Sequence, residues 1–109
     1  MIARNPQYRE RDLLHSILLR FGSDPRCRIW RNQTGTLKSG ERFVKFGLVG
    51  SADILGLTRS GRFLAIECKA PAGRQSEQQR RFQDMVLSFG GLYVLARSCD
   101  DVEAVLQDS

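Results

Sequence analysis

Hydrophobic positions near the N-terminus recur at the spacing of a helix. One apolar stripe is formed by residues three and four positions apart: Leu13, Leu14, Ile17, Leu18 and Phe21. Asn5-Pro6 is a start signal and Gly22 a stop signal, so the pattern predicts a helix over residues 7–21. Glu10 lies at the head of the stripe and is expected to face inward. A carboxylate there also stabilises the first turn through the helix dipole, and the sequence leaves both roles open.

The middle of the chain has the patterns of β-strands. Strands are predicted over residues 27–32, 43–46, 54–57 and 62–69, with Ser60-Gly61 as a hairpin turn between the last two. The run of residues 63–66 is apolar on both faces, which indicates a strand covered on both sides. Residues 33–42 are polar and rich in turn formers, and they predict a long loop that either contacts a substrate or is simply flexible.

The last third of the chain predicts a helix, a strand and a short helix. Ser76 with Gln79 three residues later forms a capping box, which gives Gln79 a purely structural alternative to any role in a site. Gly90-Gly91 ends that helix, and a buried strand over 92–96 and a helix over 100–107 follow. The order of elements predicts an α/β fold, a mixed sheet flanked by helices, in a single domain over residues 1–109.

Composition is that of an ordinary globular chain, with 41% hydrophobic and 27% charged residues. No apolar run approaches the ~20 residues that span a bilayer, and the N-terminus lacks the apolar segment of a secretory signal, so we expect a cytoplasmic protein. The three cysteines are odd in number and form no C-x-x-C pair, which argues against both a disulfide framework and a structural zinc site.

Positive charge is concentrated in the first three quarters of the chain. Residues 1–81 hold 16 of the 17 basic residues and seven acidic ones, a net charge of +9, whereas residues 82–109 hold one basic and five acidic residues, a net charge of −4. Such a distribution fits a surface that binds a polyanion. The alternative is that the arginines only maintain solubility, and a scaffold without a nucleic-acid partner is the least favoured interpretation.

The candidate chemistry lies in the stretch from residue 50 to residue 82. A turn leads into Asp53, and the apolar strand ends at Glu67 and Lys69, which share a face about 6.6 Å apart while Cys68 points the other way. Two carboxylates beside an ammonium suit a hard divalent cation, and the lack of a His or Cys cluster favours Mg²⁺ or Mn²⁺ over Zn²⁺. Lys69 is one of only three lysines among 17 basic residues, and its compact ammonium suits a point charge near a reacting oxygen better than a guanidinium would. The alternative is that Glu67 and Lys69 only mark the strand's exit into solvent.

An ordered set of short motifs resembles the VRR-NUC domain, the virus-type replication-repair nucleases of the PD-(D/E)xK superfamily, in its stand-alone phage or bacterial type. The motifs are G-S-A-D at 50–53, E-C-K at 67–69 and S-E-Q-Q at 76–79 with Phe82. The resemblance implies a restriction-endonuclease-like core. It also implies the roles of single positions: metal binding by Asp53 and Glu67, with the Cys68 carbonyl and Glu10 as further ligands, and catalytic roles for Lys69 and Gln79. Ala52 departs from the pattern, because a proline is common there.

The activity that the resemblance implies is metal-dependent, structure-selective cleavage of branched DNA, such as four-way junctions, by a homodimer in the cytoplasm of a bacterial or phage-infected cell. No membrane and no cofactor beyond the metal is expected. The predicted DNA contacts are Arg31, Asn32, Lys38, Arg42, Lys45, Arg74, Arg80 and Arg81. The alternative is a non-catalytic nucleic-acid-binding module of the same fold.

Overall fold

The computed structural model describes the backbone of residues 6–109 and the side chains of residues 9–44 and 47–109. Asn5 and the Lys45 side chain lie outside the described residues. The elements in chain order are α1 Pro6–Phe21, β1 Cys27–Arg31, β2 Gly35–Ser39, β3 Arg42–Phe46, β4 Ile54–Thr58, β5 Phe63–Cys68, α2 Glu77–Ser88, β6 Leu92–Ala96 and α3 Cys99–Gln107. Among the described residues, none of the helices combines the length and apolarity needed to cross a membrane.

The central sheet has four strands in the order β1-β4-β5-β6. β4 pairs antiparallel with both β1 and β5, whereas β6 lies parallel to β5 because α2 carries the chain back to the end of the sheet where β5 begins. The prediction of a mixed sheet flanked by helices is therefore confirmed, and the arrangement is consistent with a restriction-endonuclease-like core.

The two faces of β5 explain its continuous apolar run. Leu64, Ile66 and Cys68 pack in the larger core with residues of α1 and α3. Ala65 points to the opposite side, into a smaller core with Phe82 and Val86 of α2. Alternation of side chains along a strand then places Glu67 on the α2 face, and its position opposite Cys68 is the one that the sequence predicted. A charged residue thus lies next to the last residue of a strand that is covered on both sides.

The prediction of a long loop over residues 33–42 was wrong. Residues of β2 pair with β3 in an antiparallel hairpin that forms its own two-stranded sheet, with Gly40 in the turn at a φ of 64°. All the described side chains of this hairpin are exposed. Because neither face packs on a core, the sequence has no alternation of polar and apolar residues that would mark the first strand.

Candidate active site

Two carboxylates meet at one end of the central sheet. The register between β4 and β5 pairs Ile54 with Ile66, so Asp53 and Glu67 are the next residues outward on neighbouring strands. Oδ2 of Asp53 accepts a hydrogen bond of 2.8 Å from the backbone N–H of Cys68. The Asp53 carboxyl also lies within hydrogen-bonding reach of the Glu67 carboxyl. The fold therefore unites the two acidic residues that the sequence singled out.

Glu67 is a buried acid with an incomplete set of partners. Its side chain is 3% exposed, and its Oε2 has no hydrogen-bond partner among the described residues. Burial, followed by the hydrogen bond with Asp53 and the charges of Asp53 and Glu10, raises the pKa of Glu67 to about 9 against the opposing charge of Lys69. Glu67 therefore holds a proton at neutral pH in the metal-free protein.

Lys69 and Glu10 lie beside this pair. The backbone N–H of Lys69 donates to the Ala96 carbonyl at 2.9 Å, so the ladder with β6 continues past the end of β5 and keeps the Lys69 side chain on the face of Glu67. Oε1 of Glu10 accepts a hydrogen bond of 3.2 Å from the Ala70 amide. Glu10 therefore faces inward, and it fixes the chain immediately after Lys69.

An open cleft of about 280 Å³ gives solvent access to Asp53 and Glu10. Its lining consists of Glu10, Arg11, Leu14, Arg31 and Asp53. The lining is mainly polar, with two carboxylates and two guanidinium groups. A larger groove beside α2, about 380 Å³, has no titratable side chain in its lining, so we assign the chemistry to the polar cleft.

The donor atoms fit a hard divalent cation bound by two carboxylates. Within the part of the chain that the structure describes, no group of three or more His, Cys, Asp or Glu side chains is arranged to hold a metal, so Glu10 does not form a three-carboxylate group with Asp53 and Glu67. The unpartnered Oε2 of Glu67 and the adjacent Asp53 carboxyl are the atoms available. Mg²⁺ commonly takes one or two carboxylates and retains several waters, so the pair is sufficient.

Gln79 forms the predicted capping box at the start of α2. Its Oε1 accepts from the Ser76 N–H at 2.9 Å, and its own N–H donates to Oγ of Ser76 at 3.1 Å. The turn that leads to Asp53 lies against this helix start, because a Cβ added to Gly50, whose φ is 80°, would come within 2.5 Å of the Gln78 carbonyl oxygen. The structural role of Gln79 is thus confirmed, and a catalytic role stays a prediction.

Asn32 holds the turn that delivers Asp53. Its backbone N–H donates to the Asp53 carbonyl at 2.8 Å. Its side-chain Nδ2 donates to Oγ of Ser51 at 2.7 Å and to the Ala52 carbonyl at 2.9 Å. The sequence predicted a DNA contact for Asn32, but both side-chain N–H donors are used within the protein. Fixing the turn at Ala52 is a role that sequence reasoning missed.

Arg97 is a second residue that sequence reasoning missed. Its Nη1 donates to the carbonyls of Ala70 at 2.7 Å, Pro71 at 3.2 Å and Gly73 at 2.9 Å. The loop that follows Lys69 is thereby tied to the end of β6. The only sequence signal was that Arg97 is the single basic residue of the acidic segment 82–109.

Tyr93 lies on the α2 face of the sheet, close to the two carboxyls. Its hydroxyl accepts a hydrogen bond of 3.1 Å from Nε2 of Gln75. Burial, reinforced by the charges of Glu67 and Asp53, raises the pKa of Tyr93 to about 12 in spite of the Gln75 hydrogen bond. Tyr93 is therefore a neutral, half-buried neighbour of the acidic pair.

Substitution of Arg97 tests how the loop is fixed. In Arg97→Met the three carbonyls lose a charged donor, so amide hydrogen exchange over residues 70–73 should accelerate and the protein should lose about 1–2 kcal/mol of stability. Hydrogen exchange measured by mass spectrometry and thermal melting check this expectation. Arg97→Lys is the control. It retains one charged donor group, so its exchange rate and its stability should lie between those of the unchanged protein and those of Arg97→Met. Unchanged exchange in Arg97→Met would contradict the assignment.

The predicted DNA contacts other than Asn32 occupy exposed positions wherever their side chains are described. Arg31 also lines the cleft with Asp53, so it is the basic side chain of that group placed beside the carboxylates. Arg81 forms an ion pair of 2.6 Å with Glu77 one turn away. Arg31, Lys38, Arg42, Arg74, Arg80 and Arg81 are all open to solvent.

A family model described as VRR-NUC domain matches residues 25–100. That span includes Asn32, Asp53, Glu67, Lys69 and Arg97, whereas Glu10 lies before it. Searches of curated proteins and of solved structures found no match.

Proposed function

The chain belongs to the VRR-NUC domain family, and from that premise we propose that it is a metal-dependent endonuclease selective for branched DNA, four-way junctions in particular. Membership makes it a nuclease-type domain with DNA as its substrate. One observation carries the proposal of catalysis: a buried carboxyl with an unpartnered oxygen lies next to a second carboxyl, with a lysine two residues further on. A purely structural pair of acids would not be expected to leave that oxygen without a donor.

Asp53 and Glu67 are the residues proposed to hold Mg²⁺ or Mn²⁺, with the backbone carbonyl of Cys68 as a third oxygen ligand. When bound, such an ion neutralises phosphate charge and lowers the pKa of water. Glu67 must lose its proton before both carboxyls can act as ligands, since its pKa is about 9 when no metal ion supplies a counter-charge. Glu10 contributes negative charge nearby and, through the Ala70 amide, the position of the chain after Lys69.

Lys69 is proposed to orient the attacking water or the scissile phosphate with its ammonium. Gln79 lies in the first turn of α2, where the helix N-terminus favours a phosphate. Its Oε1 is occupied by the capping box, whereas its Nε2 has no hydrogen-bond partner among the described residues and stays free to donate to a phosphate oxygen. The two roles of Gln79 are therefore compatible.

Selectivity for branched DNA is proposed on grounds of charge and size. The exposed arginines and the net charge of +9 over residues 1–81 supply sequence-independent affinity for phosphates. A chain of 109 residues offers little surface for measuring a junction by itself. A two-fold homodimer would present two sites to two strands.

A cleavage panel tests the proposed function. Four-way junction, flap, splayed and linear duplex DNA are incubated with Mg²⁺, Mn²⁺ or EDTA, and the mass of the protein in solution is measured in parallel. We expect metal-dependent cutting that favours the junction, a dimeric mass, and no cutting by Asp53→Asn. Cutting of linear duplex at the same rate as the junction would contradict the proposed structure selectivity. Salt-sensitive binding without cutting in either metal would instead establish a non-catalytic binding module.

A further inference from the structure

The β2–β3 hairpin is an exposed element with the composition of a binding surface. Among the described residues its strands pair only with each other, and they form no ladder with the central sheet. Leu37, Phe43 and Val44 are 62%, 71% and 49% exposed. Clustered large apolar side chains that the fold leaves in solvent mark a place of contact with another molecule.

The register of the hairpin sorts its side chains by face. Lys38 lies directly opposite Phe43, and Leu37 lies opposite Val44. Directly opposed residues share a face, and successive residues alternate, so Lys38 and Phe43 stand together on one face while Leu37 and Val44 stand on the other. Arg42, opposite Ser39, lies on the face of Leu37 and Val44. One face therefore combines an exposed aromatic ring with an ammonium.

The base of the hairpin is attached to the candidate active site. Asn32, three residues before β2, makes the hydrogen bonds to Ser51, Ala52 and Asp53 described above. At the other end, Gly47 with a φ of 80° lies so close to Thr34 that an added Cβ would come within 2.5 Å of the threonine methyl carbon. The two ends of the hairpin are thus closed against each other and bonded to the turn that carries Asp53.

We propose that this hairpin binds unpaired nucleotides next to the cleavage site, with Phe43 stacking on a base and with Lys38 contacting a flanking phosphate. The inference rests on the proposed function, because it takes DNA as the substrate. An aromatic ring beside a cation is a combination that binds single strands, since every base offers a face for stacking and every nucleotide a phosphate. In a continuous duplex the base faces are covered by stacking, so Phe43 would distinguish DNA with an unstacked branch point from a continuous duplex.

Binding measurements on matched variants test this assignment. Phe43→Ala is compared with Leu37→Ala, which removes a side chain of similar exposure from the opposite face, and with Phe43→Trp, which retains a ring. Affinities for a labelled oligothymidine and for a linear duplex of the same length are measured by fluorescence anisotropy in EDTA, where cleavage is not expected. We expect Phe43→Ala to weaken single-strand binding roughly tenfold and duplex binding less than about twofold. Leu37→Ala and Phe43→Trp should bind like the unchanged protein.

A stacking signal separates this role from a general loss of affinity. A 2-aminopurine placed in the single strand should be quenched by the unchanged protein and by Phe43→Trp, but not by Phe43→Ala. The proposal is overturned by equal losses on both DNAs, by no loss, or by a loss of self-association in Phe43→Ala, which would make the hairpin a protein contact. Cleavage is assayed separately in Mg²⁺. Cleavage without any dependence of binding on Phe43 removes only this inference, whereas selective binding without cleavage removes only the proposed nuclease activity.

Discussion

Replacing Lys69 with alanine is expected to abolish DNA cleavage and to leave DNA binding close to that of the unchanged protein. Lys69 follows Glu67 by two residues, and the backbone bond to Ala96 keeps it on the face where the acidic pair lies. Its charge acts on Glu67, and no other lysine is present between residues 46 and 109. Losing one preorganised charge at a reacting phosphate slows such reactions about 100- to 1,000-fold.

Single-turnover cleavage rates and anisotropy titrations check this expectation side by side. Affinity should persist because the exposed arginines that supply phosphate contacts are untouched. Lys69→Arg is the control for charge: it keeps the positive charge but replaces a compact ammonium with a broad guanidinium, so we expect partial activity. Cleavage by Lys69→Ala at the rate of the unchanged protein would refute the assignment.

The metal-free protein is expected to lose stability as the pH rises from about 5 to about 9. The ordinary pKa of a glutamate side chain, 4.5, applies to the unfolded chain, whereas the pKa of Glu67 in the fold is about 9. Between these values the folded state holds a proton that the unfolded state lacks, so the free energy of unfolding falls with pH by at most about 1.4 kcal/mol per pH unit. The stabilising contribution is complete below pH 4.5 and is lost as the pH passes the folded value.

Glu67→Gln should remove this dependence, because the amide keeps the shape of the protonated acid and cannot ionise. Thermal melting in EDTA at intervals between pH 5 and pH 9 provides the measurement, and the variant should be the more stable protein at the alkaline end. Glu77→Gln is the matched control, since the Glu77 side chain is 79% exposed and should leave the slope unchanged. The same slope in Glu67→Gln as in the unchanged protein would disprove the assignment.

Local patterns in the sequence were sufficient to predict the framework of the site. The apolar run of residues 63–66 gave the central strand, and the hairpin turn at Ser60-Gly61 placed Asp53 beside Glu67. The capping box of Ser76 and Gln79 marked the start of α2 within one residue. Each of these signals acts over a few residues, so the sequence displays it directly.

What the sequence did not predict depends on bonds between distant segments. Asn32 contacts the turn at residues 51–53, and Arg97 contacts residues 70–73, in both cases through backbone carbonyls or a hydroxyl. Every residue type has the same backbone carbonyl, so no pattern of residue types in the sequence predicts such contacts. The first strand of the hairpin was missed for a different reason: exposure of both faces removes the hydrophobic alternation on which strand prediction relies.

The buried position of Glu67 has an evolutionary consequence. Selection that rewarded only resistance to heat would replace this side chain early, because a neutral residue of the same size removes the penalty that its ionisation brings. Under the proposed function, selection for cutting is what opposes that replacement. In descendants without that selection, replacement of Glu67 by a neutral residue is expected to raise thermal stability and to remove activity in one step.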